Sequence, residues 1–234
     1  MRSIQSVSAG LLLGLLSSPA AAQGFEGRIV ADIFNKGKPS GEFVSLFKGG
    51  KTRIEMGRGG EAFLLLDPAA QAAYTVMDQQ KMYMKMTFSD VEKMGDGGKD
   101  EGKLPKIEKT GQTETIAGHT CQHYVVTDDD GSTSDICAAT GLGYFGGMAG
   151  GGMPGGKGPG AGAVPLKYRH LVNEFKDGFQ PLKVEQIRGG KRELVMQVKE
   201  VEKKSLDAAL FEVPKGYKEF SMGGIGKLPK IPKP

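Results

Sequence analysis

The sequence has 234 residues, of which 38% are hydrophobic and 37 are glycine, and its 31 basic and 27 acidic residues leave a formal net charge of +4. A balance this mild and dispersed excludes a nucleic-acid binder. The length suits one domain of ordinary size with floppy segments attached.

The chain opens on Met1-Arg2, an apolar run over 7–16 and the small residues Pro19-Ala20-Ala21-Ala22. A basic start, a short apolar run and a small-residue site in that order read as a secretory signal peptide over 1–22, cleaved near Ala22. The run is too short to span a membrane, and no cysteine lies near the cleavage site to take a lipid anchor. The expectation is a periplasmic or secreted protein with a single domain over 23–220 and a disordered basic tail over 221–234.

Residues 25–34 alternate apolar and polar and read as a strand. Residues 42–48 and 51–56 flank Gly49-Gly50 as a hairpin, and 61–67 is a strand ended by Asp67-Pro68. Residues 73–77 and 82–86 are strands around 78–81, and Ser89 suits the cap of a short helix over 90–94. The run 141–162 has no period and almost no side chains to bury, so it reads as a flexible glycine-rich insertion. Beyond it, Leu166, His170, Leu171 and Phe175 fall near helical spacing, although Tyr168 and Val172 equally suit a strand. Residues 181–188 and 191–203 form a last hairpin through Gly189-Gly190, and Ser205 is placed to cap a turn over 206–210. Strands outnumber helices severalfold. The fold class is therefore α+β, mainly β: a curved open antiparallel sheet, a half-barrel, of about eight to eleven strands with one or two short covering helices.

The stretch 110–137 joins periodicity, turn chemistry and cysteine usage. Residues 116–126 alternate as one strand, 132–137 as its partner, and Asp128-Asp129-Asp130-Gly131 supplies the turn. Pairing centred on Asp129 puts Cys121 directly opposite Cys137, and in an oxidising compartment a disulfide is favoured over a metal or redox pair. Closing a loop of about 15 residues contributes roughly 3 kcal/mol.

The order Gly111-x-x-Glu114-x-Ile116-x-Gly118-x-x-Cys121-x-x-Tyr124, then Gly178-Phe179-x-Pro181-Leu182, then Phe211-x-x-Pro214-x-Gly216-Tyr217 resembles the secreted bacterial domain-of-unknown-function 4412 family. That family is similar in fold to the periplasmic lipoprotein carriers, so the resemblance implies an open sheet wrapped around an apolar cavity. In this chain the cavity would be lined by Phe63, Leu65, Tyr74, Met82, Met84 and Val184.

Chemistry-bearing residues are few. His119, Cys121 and His123 share one strand face, as metal ligands would, and Met82, Met84 and Met86, with Met77 nearby, have the make-up of a cuprous thioether site. The plainer readings are half-exposed strand histidines and a deformable apolar wall. The aspartate run lacks the spacing of a calcium loop, and no setting for a nucleophile is present. The expectation is a non-enzymatic protein without cofactor that holds a lipid, a lipoprotein acyl chain or an apolar partner segment. Its basic tail would brush a membrane surface. Copper or zinc handling through the Met or His side chains is the alternative, and a ligand-free structural or stress-related envelope protein a third.

Overall fold

A computed structural model describes residues 24–56, 61–87, 90, 105–128, 131–143 and 178–220. The signal peptide, the glycine-rich insertion from 144 onward, both expected helices apart from Asp90, and the basic tail lie outside these residues.

Among the described residues, twelve strands make one sheet. They are β1 (Gly27–Asn35), β2 (Lys38–Lys48), β3 (Lys51–Met56), β4 (Ala62–Asp67), β5 (Ala72–Met77), β6 (Met82–Thr87), β7 (Lys106–Ile116), β8 (His119–Thr127), β9 (Thr133–Ala139), β10 (Gln180–Arg188), β11 (Lys191–Lys203) and β12 (Lys218–Glu219). Their order is β12-β6-β5-β4-β3-β2-β1-β11-β10-β9-β8-β7, so β1–β6 and β7–β11 are two meanders joined where β11 returns beside β1. The sheet is open, and all its pairs are antiparallel except β12 with β6. Five register shifts, at Val30/Ala31, Ile33/Phe34, Lys109/Thr113, Pro181/Lys183 and Val184/Glu185, bend the strands that carry them.

The sheet has one strand more than the upper end of the expected range, because β7 is mostly exposed and polar and shows little apolar alternation. The arm expected over 116–126 is correspondingly two strands. Ala117 and Gly118 have φ of 49° and 79°, the left-handed pair that a two-residue hairpin turn needs, and Ile116 pairs with His119 across it. Among the described residues the one complete helical turn is a 3-10 segment, Ala208–Phe211, and its cap is Asp207 rather than Ser205. The Asp207 carboxylate accepts from the Ala209 N–H at 3.0 Å.

Directly paired residues share a face, so the register assigns every strand position to one of two sides. One side, the apolar face, carries Ile29, Ala31, Phe47, Ile54, Leu64, Leu66, Ile136, Val184 and Met196, all buried. The other, the strapped face, is crossed by the chain after β11. Val213 and Tyr217 pack there on Phe63, Leu65 and Val76. The strap is pinned where Glu26 accepts the Leu206 N–H at 2.7 Å, where Arg53 donates to the Leu210 carbonyl at 3.2 Å, and where the Tyr217 hydroxyl donates to Asp78.

Candidate functional site

The apolar face runs from β8 to β6 and ends on methionine. Met82 lies opposite Met77, Met84 opposite Thr75, and Met86 opposite Ala73, in line with Leu64 and Leu66 on β4. Met86 is buried at 7% exposure, whereas Met77, Met82 and Met84 are half-buried. Unbranched thioether side chains at the accessible end of an aliphatic stripe form a surface that reshapes around what it contacts. Within the same face the Ser45 hydroxyl, 1% exposed between Ile29 and Ile54, has no hydrogen-bond partner among the described residues.

The six residues expected to line one cavity divide between the two faces. Met82, Met84 and Val184 are on the apolar face. Phe63, Leu65 and Tyr74 are on the strapped face, where Phe63 and Leu65 are 2% and 3% exposed beneath the C-terminal strap. A one-residue offset in any strand's pairing exchanges its faces, and the register of the meander is what separates the two sets. Leu65 and Tyr74 do border an open cleft of about 310 Å³ between the sheet and the strap, with Tyr83, Phe211 and Val213. The Lys51–Asp67 ion pair, 2.8 Å, stands at this cleft.

At the far end of the strapped face lies a polar network around the disulfide. Cys121 and Cys137 are bonded, with S–S 2.01 Å and Cα atoms 5.3 Å apart. They are diagonal neighbours, not the directly opposed pair that a turn centred on Asp129 would make. Cys137 pairs with His123, two residues on, because the Gly131 N–H bonds the Asp128 carbonyl and the Asp128 N–H bonds Ser132, which moves the hairpin axis to position 130. A shift of two keeps both sulfurs on one face, so the bond survives the change.

Beside the bond, Asp135 is 3% exposed and holds His123 Nδ1 at 2.7 Å and the Arg192 guanidinium. Burial raises the proton affinity of Asp135, but the hydrogen bonds from Arg192 and His123 outweigh it and leave its pKa below the usual aspartate value. Arg192 also reaches Glu185 at 3.2 Å, and Lys183 stands 3.4 Å from Glu114. The ligand atoms of Glu114, His123 and Cys137 lie within 4.8 Å of one another.

The metal groupings expected from sequence are rearranged. His119 and His123 do share the strapped face with Cys121, but His119 sits at the β7–β8 turn outside this grouping, and Glu114 takes its place. The methionines lie on the opposite face, nine strand positions away along the sheet, so Met and His form no common site. Glu114 has no sequence signature that marks it as a ligand, because its role depends on the β7–β8 register.

A family model described as "Domain of unknown function (DUF4412)" matches residues 25–217. No curated protein matches the chain. Among solved structures, PNGF-II in a C2 space group is similar at 14% identity and TM-score 0.47 over 88% of this chain, which spans about a third (32%) of that one. An uncharacterized conserved protein from Thermus thermophilus is similar at 9% identity and TM-score 0.44, over 86% of this chain and 91% of the other. Both are distant β-rich structures.

Proposed function

The chain belongs to the DUF4412 family, and we propose that in this member the apolar face of the sheet is the binding face of an exported, non-catalytic carrier for an acyl chain. The observation that carries the reading is the register of β3–β6, which continues the buried stripe Ile54, Leu64 and Leu66 into the half-buried Met77, Met82 and Met84. Aliphatic walls fix a hydrocarbon through burial, about 0.8 kcal/mol per methylene, and a methionine rim adapts to its length and curvature. The Ser45 hydroxyl, unpartnered among the described residues, supplies a donor within that face for an ester or carboxylate oxygen. The motif order resembles that of the DUF4412 family, whose likeness in fold to the periplasmic lipoprotein carriers supports the same reading and a periplasmic setting.

The test is titration of the purified protein with a fluorescent fatty acid, alongside native mass spectrometry of protein recovered from its own envelope. Saturable binding that tightens with chain length, and copurified lipid, are the expected results. Binding that ignores chain length would overturn the reading.

A further inference from the structure

We infer that the reduced form of this chain binds a zinc-class divalent cation through Glu114, Cys121, His123 and Cys137, and that this metal site and the disulfide are alternative states of the same four residues.

The inference rests on register and distance and is independent of the acyl reading. Glu114 on β7 is directly opposite Cys121 on β8, and His123, two residues along β8, is directly opposite Cys137 on β9. Four potential ligands thus form a stepped group across three adjacent strands, one on β7, two on β8 and one on β9, all on the strapped face. The ligand atoms of Glu114, His123 and Cys137 already lie within 4.8 Å of one another, and the Cys121 sulfur is 2.01 Å from that of Cys137. Two thiolates, an imidazole and a carboxylate suit a tetrahedral zinc-type ion with Zn–S near about 2.3 Å and Zn–N near about 2.0 Å, so the freed sulfurs need only swing apart about the cation.

The surroundings are those of a supported ligand set. His123 Nδ1 is held by the buried Asp135 at 2.7 Å, which leaves Nε2 directed toward Glu114 at 3.4 Å. A carboxylate behind a histidine fixes its tautomer and ring orientation for coordination. Arg192 in turn fixes Asp135.

While the sulfurs are bonded to each other neither is a thiolate, and the site is closed. A dithiol opens it by exchange: one of its thiolates attacks the Cys121–Cys137 bond, its second sulfur resolves the mixed disulfide, and it leaves as a cyclic disulfide. Two electrons and two protons thereby pass to Cys121 and Cys137. Binding of the cation then releases the two thiol protons to solvent.

The experiment uses the full mature chain, reduced anaerobically with a water-soluble phosphine, which takes up the oxygen of water as its oxide and leaves two thiols. Zinc is titrated against a chromophoric chelator, and cobalt is substituted as a spectroscopic probe. One zinc per reduced chain, none on the oxidised chain, and a thiolate-to-cobalt charge-transfer band with tetrahedral ligand-field intensity are expected. Glu114→Gln and the supporting Asp135→Asn should each weaken zinc binding by about 10–100-fold. If reduction loosens the fold, zinc should restore the sheet's circular dichroism and its cooperative melt. Equal zinc affinity in the reduced and oxidised chains, or reduced-chain affinity unchanged by both substitutions, or failure of zinc to restore a loosened fold, overturns the inference.

Discussion

The Arg53 guanidinium lies 3.6 Å from the centroid of the Phe63 ring, and the same group donates to the Leu210 carbonyl at 3.2 Å. One side chain thereby ties the sheet to the C-terminal strap. Burial pushes the Arg53 pKa below its usual value, and Glu55 and Asp78 oppose that push. Arg53→Met keeps the apolar stem and loses the charge, the ring contact and the hydrogen bond, about 1–3 kcal/mol together. The melting temperature should fall by several degrees, at about 2–4 °C per kcal/mol for a chain of this size. Proteolysis should then cut first in the strap. A melt equal to the parent's would contradict this role.

The disulfide closes a sequence separation of 16 residues. Cys121→Ser should therefore lose roughly 3 kcal/mol and melt several degrees lower. Thiol labelling of the native, unreduced protein should find no reactive group, since both cysteines are 1% exposed and bonded.

Met84→Trp separates a binding face from a filled one. If the methionine rim is free to receive a ligand, the indole occupies that space, weakens fatty-acid binding and leaves the melt unchanged or higher. In a packed core the same change overpacks and costs about 1–3 kcal/mol. Ser45→Ala adds a second readout. It removes a buried hydroxyl that has no partner among the described residues, so the apo protein should gain stability, while affinity for an acyl ligand with a carbonyl head should fall.

Gly178→Ala should be more damaging than Gly141→Ala, although both glycines have φ in the left-handed region, 95° and 77°. A Cβ at Gly178 would lie 2.6 Å from the Gly143 carbonyl oxygen, whereas one at Gly141 meets nothing within 4 Å. Strain alone costs about 1–3 kcal/mol, and the clash adds to it only at Gly178. Paired thermal melts of the two variants, with equal losses as the contrary result, check the difference.

Acid sensitivity should trace partly to Asp67. Burial raises its proton affinity, but hydrogen bonds from Lys51 and the Ala70 N–H outweigh this and hold its pKa below the usual aspartate value. A carboxylate lowered on folding contributes stability above its unfolded pKa of about 3.9, and that contribution is lost as pH falls through the folded value. Asp67→Asn should therefore differ from the parent in urea midpoint near neutral pH, with the gap closing only as pH falls through the lowered folded pKa. A gap that stays constant across this range would refute the assignment.

Local sequence carried the glycine-pair turns and many strand limits, but not the Ala117-Gly118 turn or the centre of the turn over 128–131. Gly49-Gly50 and Gly189-Gly190 have both φ values positive, as hairpin turns of this length require, and β3 begins and ends where alternation and glycine place it, at Lys51 and Met56. What local sequence could not carry was pairing. Alternation shows that Phe63 and Leu64 face opposite ways, but only the register shows that Phe63 joins Val76 under the strap while Leu64 joins the methionine side. The same limit hid Glu114, whose strand has the composition of solvent-facing sequence and whose neighbours are fixed by a bulge between Lys109 and Thr113. The cysteine pair was legible because two sulfurs on one face tolerate a two-residue shift.

The parallel pairing of β12 with β6 has a consequence for crowding among copies. The Lys218 N–H bonds the Lys81 carbonyl, and the Phe220 N–H bonds the Tyr83 carbonyl at 2.9 Å, so the chain's own end occupies hydrogen-bonding positions along β6. A strand from another molecule must compete there with a segment tethered a short distance away, whose effective concentration reaches the millimolar range. Polymerisation through β6 is thus disfavoured by mass action within a single molecule, whereas β7 relies on its charged, solvent-facing side chains and its bulge to turn away newcomers.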